Sequence, residues 1–450
     1  MHLYDNNAVA PRALRKVIFA ASVGTVIEWY DFFIFGSLAK IIEPKFFPTK
    51  DGIVGYLAVL AIFAAGFVVR PIGAVIFGRI GDLVGRKYTF LVTLLLMGGS
   101  TFAVGFIPTF AEIGVAAPTL LTVLRLVQGL ALGGEYGGAA TYIAEHAPDK
   151  RRGYFTSWLQ TTAIFAFALS ILVILVTRIS VGEDAFNAWG WRIPFIISGI
   201  LIIVSYYIRR KLGESPLFAQ LKAKGELSKN PLKESFQHPE NRRLILIGLF
   251  GATAGMAAIN YTGMFYAQIF MTTTLHIDYF WGSSIAAIAL LIGTPTYVYF
   301  GALSDRLGRK RLMMAGLLLA TLTFVPIYYG MMAVTPALPA GAKSFVPDLA
   351  TAACLTAFIT LQLAIGGMVY GPLAAFLIEL FPTRIRYTSL SIPYHFGAVF
   401  GGLMPLCAVW LSNAFGHPLA GLAYPLGLSL MCFVVGSLFI KDKRDVKIME

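Results

Sequence analysis

This sequence has little charge. Of its 450 residues only 13% are Asp, Glu, Lys or Arg, where a soluble domain carries about a quarter. That scarcity excludes an ordinary water-facing fold. Cysteine is also rare. Cys354, Cys407 and Cys432 all lie in apolar stretches, are odd in number and show no paired spacing. Neither a disulfide framework nor a metal site is indicated. No nucleophile–base constellation stands out, which disfavours an enzyme, and no cofactor is expected. The short alternating segments of a membrane β-barrel are missing too. So is a cleavable leader: the first apolar run continues through Asp31 to about Ala39, too long for a signal peptide and without a small-residue cleavage site.

What is present is hydrophobicity in blocks. The composition is 57% hydrophobic, with a mean hydropathy of +0.73. The apolar runs are about 20 residues long, enough to cross about 30 Å of hydrocarbon as helix. The fold class expected is an all-α membrane protein of twelve transmembrane helices. The spans fall near 17–39, 53–77, 88–108, 117–144, 154–177, 193–211, 244–272, 280–301, 312–332, 349–379, 386–412 and 419–440. A polar stretch, 212–243, separates an N-terminal half (1–211) from a C-terminal half (244–450 with a short tail).

The net charge of +13 is a topology signal and not a nucleic-acid signal. If the N-terminus is inside, inner segments hold 28 Lys and Arg and outer loops hold 6, while Arg70 and Arg125 lie within spans. Both termini are therefore expected to be cytoplasmic. The partners that follow are a small-molecule substrate, protons and the lipid bilayer, with no nucleic acid and a monomeric state.

The two halves repeat. GRIGDLVGRK at 78–87 returns as GALSDRLGRK at 301–310, so that Asp82, Arg86 and Lys87 match Asp305, Arg309 and Lys310. Span 4 returns in span 10: Gln128, Tyr136, Glu145 and Arg152 match Gln362, Tyr370, Glu379 and Arg386. Parallel repeats with a site between them are a transporter architecture. The acidic and basic residues of the doubled loop can pair with each other and with helix ends. That makes them, with Arg306 and with Glu145, Arg152, Glu379 and Arg386 at the exits of spans 4 and 10, candidates for a cytoplasmic gate.

Span 4 carries two ionisable groups inside a glycine-rich apolar helix, Arg125 and Glu135, and such groups are functional candidates by default. Counting 1.5 Å per residue places Asp31 and Arg125 at matching depth, about 10 Å below the outer edge, and Arg70 and Glu135 deeper at a second common depth. Two ion pairs are expected, Asp31 with Arg125 and Arg70 with Glu135. Glu28 lies one turn before Asp31. Asp31 is the expected proton carrier, Arg125 sets its proton affinity, Glu135 and Glu28 complete the proton-coupling set, and Arg70 is the expected grip on a substrate carboxylate. Tyr30, Gln128 and Tyr142 complete the polar set of the first half. The second half has Ile359 and Val369 where Arg125 and Glu135 would recur. Its candidates for substrate are neutral: Asn260, Tyr261, Gln268, Gln362, Tyr370, Tyr394 and His395. Gly129, Gly133, Gly134, Gly137 and Gly138 allow close helix contact in span 4.

These motifs carry a resemblance. The doubled loop looks like the signature of the major facilitator superfamily, although Leu83 stands where a basic residue is usual. IEWYDFFIFG, FVVRPIGAVIFGRIGD, RLVQGLALGGEYGG, WGWRIPF, ESPLF and ELFPTRIRYTSLSIPYHFG together resemble the metabolite:proton symporters. Members of that family carry α-ketoglutarate, citrate, shikimate, or proline and betaine. The resemblance implies a proton-coupled symporter in a bacterial-type inner membrane. The buried Arg residues point to an organic acid as the substrate. A zwitterionic osmolyte is the alternative, set second because only KDKRDVKIME follows span 12 and osmolyte carriers of the family often have a long coiled-coil tail. Uncoupled facilitation and a non-transporting sensor are the remaining readings.

Overall fold

The computed structural model describes residues 11–84, 86–210, 231–382 and 385–441, without the side chains of 11–21, 81–87, 90, 142, 145, 146, 149, 208–210 and 231. Among the described residues it is a bundle of twelve long helical stretches with short connecting turns. Span 1 is Pro11–Ser37 and span 3 is Arg86–Val104. Spans 5 and 6 are Arg152–Val181 and Ile193–Arg210. Span 7 runs over Pro239–Thr273, span 8 over Tyr279–Leu307 and span 9 over Arg309–Val334. Spans 10, 11 and 12 are Leu349–Leu380, Arg386–Phe415 and Ala423–Phe439. Large apolar side chains such as Leu172, Ile203 and Leu322 face outward, as lipid contact requires.

Spans 2 and 4, expected to be continuous, are each broken within their length. Span 2 consists of Gly52–Val68 and Arg70–Val84. Pro71 lacks the N–H that would continue the ladder, so the helix resets beside Arg70. Span 4 consists of Ala116–Gly133 and Tyr136–His146, with Gly134 and Glu135 in the gap. The two breaks lie against each other. A Cβ on Gly133 would stand 2.2 Å from the Arg70 carbonyl oxygen, and one on Gly129 would stand 2.0 Å from that of Gly66. The span 4 glycines therefore bring two backbones into direct contact, where dispersion replaces a hydrophobic driving force.

Span 7 differs from its expected limits. It begins at Pro239, inside the stretch assigned to the linker, and a short helix Pro231–Gln237 precedes it. Hydropathy misses both because their sequences are polar, but Pro suits a first helical turn. Two wide π-turns, Leu249–Thr253 and Thr262–Tyr266, flank Asn260 and Tyr261.

The repeat appears in the packing. Span 1 packs on span 5, span 3 on span 6, and spans 2 and 3 on span 4; six spans later, 7 packs on 11, 9 on 12, and 8 and 9 on 10. The halves meet where span 5 lies against span 8 and span 2 against span 11. A two-fold operation relating the halves exchanges these two contacts.

Candidate functional site

Three successive residues of span 1 point in three directions, as a rotation of about 100° per residue dictates. Asp31 faces spans 3 and 6. A Cβ on Gly98 would stand 3.2 Å from its Oδ2, and the Ser198 hydroxyl faces the carboxylate. Phe32 turns to the centre, its ring 3.7 Å from the Arg125 guanidinium. Phe33 crosses to the other half, packing on Phe265 and Tyr261. Asp31 and Arg125 are each 1% exposed, yet no ion pair joins them. Arg125 donates instead to the Phe32 carbonyl at 2.8 Å and to Gln128 Oε1 at 3.0 Å. Gln128 donates to the Thr101 hydroxyl, which reaches the Asp31 carbonyl at 3.5 Å. The expected pair fails for a physical reason: matching depth specifies height along the helix but not azimuth.

Arg70 is likewise 1% exposed and is enclosed by rings. Its guanidinium carbon lies 4.7 Å from the centroids of Trp29 and Phe32 and 4.5 Å from that of Phe67, an attractive arrangement for a cation. The Tyr261, Tyr370 and Tyr394 hydroxyls are its electrostatic neighbours. Its Nε and Nη1 have no hydrogen-bond partner. Among the described residues no ion pair joins Arg70 to Glu135, which is buried at the break in span 4 together with Glu28 on span 1.

The C-terminal half closes the site with neutral groups. The Tyr394 ring stacks on Tyr136 of the other half, centroids 3.4 Å apart, and its hydroxyl is 3.1 Å from that of Tyr370. Asn260 accepts from the Tyr297 hydroxyl at 2.6 Å. His395 is 1% exposed with neither ring nitrogen hydrogen-bonded. Gln362 donates weakly to the Phe358 carbonyl at 3.5 Å, leaving its Oε1 without a partner. Two candidates point elsewhere. Tyr30 donates to the Pro194 carbonyl, and Gln268 donates to Ser283. Both brace helix pairs within one half. The Tyr142 side chain lies outside the described residues.

Tyr136, Trp29, Phe67 and Ser198 were not among the residues expected at the site. Tyr136 had a signal, since it is the repeat partner of Tyr370. The other three had none, because apolar or small residues in a span look alike in sequence.

Contacts join the two halves at both ends of the bundle. At the end expected to face outward the Tyr279 hydroxyl donates to the Ser37 carbonyl across the halves at 2.6 Å. At the opposite end Arg152 meets Glu379 at 2.9 Å. Asp305 accepts from the backbone N–H groups of Gly153 and Tyr154 at 2.8 and 2.9 Å, capping span 5 from the opposite half. Arg309 holds both acids in place, at 2.7 Å from Asp305 and 3.1 Å from Glu379. Of the other gate candidates, Arg306 is exposed, Lys310 donates to the Ser437 carbonyl within its own half, and Arg386 is buried, with the Phe381 carbonyl as one of its partners. The side chains of Asp82, Arg86, Lys87 and Glu145 lie outside the described residues.

Comparison with known proteins agrees with this architecture. The chain is 35% identical to the inner membrane metabolite transport protein YhjE of Escherichia coli (strain K12), covering 93% of each chain. It is 33% identical to the proline/betaine transporter of the same organism, covering 96% of this chain and 85% of that one. It is also 34% identical to the glycine betaine/proline/ectoine/pipecolic acid transporter OusA of Dickeya dadantii (strain 3937), over 98% and 86%. Among solved structures, the proton:xylose symporter XylE superposes with a TM-score of 0.73 at 18% identity, covering 97% of this chain and 98% of that one; this establishes the fold. The model of the sugar (and other) transporter family matches residues 17–245 and 230–444. This chain is a multi-pass membrane transporter of twelve helices in two halves, and it belongs to the sugar (and other) transporter family of the major facilitator superfamily.

Proposed function

We propose that the chain carries a small zwitterionic solute of the proline or betaine kind in symport with protons, across a bacterial-type inner membrane. It works by alternating access of two halves divided at 212–243, with both termini cytoplasmic. The observation that carries the solute reading is Arg70, a buried cation with two unused donors beside the aromatic residues Tyr261, Tyr370 and Tyr394. A carboxylate takes such donors bidentately, and an ammonium or methylated cation is attracted to the ring faces. One zwitterion satisfies both. Relatives named as proline/betaine transporters support this solute over the plain organic acid first expected from the sequence. The organic acid remains the second reading, favoured by Arg125 as a second buried cation next to Arg70.

Proton coupling rests on Asp31. Its carboxylate is 1% exposed, without an ion-pair partner among the described residues and with the Ser198 hydroxyl facing it, and a carboxylate so placed takes or releases a proton according to whether water reaches it. Orientation rests on the excess of Lys and Arg in the segments assigned to the inside.

The test is a thermal-shift screen of purified protein against glycine betaine, proline, citrate and 2-oxoglutarate, repeated with Arg70→Lys. Betaine or proline is expected to raise the melting temperature of the wild type and to leave the variant unmoved, because an ammonium does not reproduce the guanidinium fork. A shift confined to the acids overturns the zwitterion reading in favour of the second one. A betaine shift that survives in Arg70→Lys removes Arg70 from the site.

A further inference from the structure

A cavity lies apart from the central site, at the inner end of the C-terminal half. It measures about 180 Å³ and lies between the first turns of spans 7 and 9 and the last turns of spans 10 and 12. Its rim is cationic. Arg243 and Lys441 line it and are exposed, and Lys310 lines it half-buried, with Nζ turned to the Ser437 carbonyl at 2.8 Å. Among the described residues the acids on the rim are Glu240 and Glu379, and Glu379 is already engaged by Arg152 and Arg309. Positive charge therefore exceeds what the rim neutralises. The floor is apolar: Ile247 is 8% exposed and Phe376 5%. The wall then runs into Phe439, which is 48% exposed on the lipid-facing side.

We propose that this cavity binds the headgroup of an anionic phospholipid. The phosphate sits against Arg243 and Lys441, and an acyl chain follows Phe439 into the bilayer. The chemistry is charge-assisted hydrogen bonding to phosphate at a basic pocket between helix ends, beside an apolar wall. A soluble phosphate would satisfy the rim but leave the wall against water, which favours the lipid. The occupant would register in the protein's stability. Arg309 lines the same cavity and holds Glu379, which in turn holds Arg152 across the seam.

The experiment needs no transported solute, so its failure is distinguishable from failure of the transport reading. Full-length protein in neutral detergent, stripped of lipid, is melted with added phosphatidylglycerol, phosphatidylcholine or inorganic phosphate. Phosphatidylglycerol is expected to raise the midpoint by about 3 °C more than phosphatidylcholine. The double variant Arg243→Gln with Lys441→Gln is expected to lose more than half of that excess. Lys343→Gln, in the loop at the opposite end, keeps all of it. Equal shifts with both lipids, or an excess that persists in the double variant, overturn the proposal. A shift reproduced by inorganic phosphate alone overturns the lipid in favour of a soluble anion. Native mass spectrometry of the unaltered protein is an independent check. Phosphatidylglycerol should remain bound at collision energies that strip phosphatidylcholine, and loss of both at the same energy counts against the site.

Discussion

Arg152 at the start of span 5 donates Nη1 to Glu379 Oε1 at the end of span 10, 2.9 Å away across the seam between the halves. Arg152 is 1% exposed and Glu379 10%, so the contact is sheltered from water. Arg309, from the same half as Glu379, grips the same carboxylate and also Asp305, whose oxygens cap span 5. A single cluster thus ties the two halves together at one end of the bundle.

Glu379→Gln should loosen that tie. Truncating one partner of a buried, hydrogen-bonded charge pair costs about 2 kcal/mol or more, a shift of roughly thirtyfold toward the inward-open state. The measurement is the rate at which a cysteine introduced at Ser391, on the central face of span 11, is labelled by a membrane-impermeant maleimide in inside-out vesicles. An unchanged rate would show that the cluster does not gate.

Gly153 and Gly301 meet backbone to backbone where span 5 crosses span 8. A Cβ on Gly153 would stand 2.4 Å from the Gly301 carbonyl oxygen, and one on Gly301 would stand 2.4 Å from Ser157 Cβ. Neither neighbour is a flexible side-chain end, so the strain is relieved only by separating the helices. Gly301→Val is expected to fold, to fail to close at the inner end, and to lower transport at least tenfold. Transport at the wild-type rate would mean that closure tolerates a wider seam.

Asp31→Asn should separate coupling from carriage. Solute exchange between vesicles at equal pH is expected to continue, while accumulation driven by a pH gradient falls to the equilibrium level. Gradient-driven accumulation in the variant would exclude Asp31 as the proton carrier.

Thr101→Val breaks the chain that links Arg125 through Gln128 to the Asp31 backbone. The Gln128 amide then loses its acceptor in a buried site, a cost of about 1–3 kcal/mol. The melting temperature should fall by several degrees, and the pH dependence of uptake should shift if the chain positions Asp31. A lower melting temperature with an unmoved pH profile would make the chain structural only.

At the outer end Arg178 donates to Glu183 and Asn187 adds a second donor. Hydrogen bonding from Arg178 holds the Glu183 carboxyl below its ordinary value of 4.5. A depressed carboxylate contributes stability at pH values above its unfolded value and loses it as the pH falls through the folded one. Wild type should therefore melt slightly above Glu183→Gln at pH 7, with the gap closing below pH 4.5. A gap that is constant with pH would assign the effect to packing. Exposure keeps the effect small, because Glu183 is 54% exposed and screening weakens such pairs.

The doubled loop was legible from sequence, since its acidic and basic residues recur at equal offsets. Which of them meet the other half was not: Asp305 and Arg309 reach the seam, while Arg306 is exposed and Lys310 turns to the Ser437 carbonyl. Tyr136 was legible only as the repeat partner of Tyr370. Its stacking on Tyr394 depends on two helices from different halves meeting.

The sequence by itself determined that there are twelve spans in two repeated halves, because a bilayer of constant thickness imposes the length of every apolar run. It also determined that Arg70, Arg125, Asp31 and Glu135 are buried. Only the tertiary structure decided what each of them faces. Counting residues yields depth, but a helix turns about 100° at each step, and the direction of a side chain is settled by the neighbours its helix packs against. That is why Asp31 looks toward Ser198, Phe32 toward Arg125, and Arg70 toward a ring of aromatics with two donors still to be used.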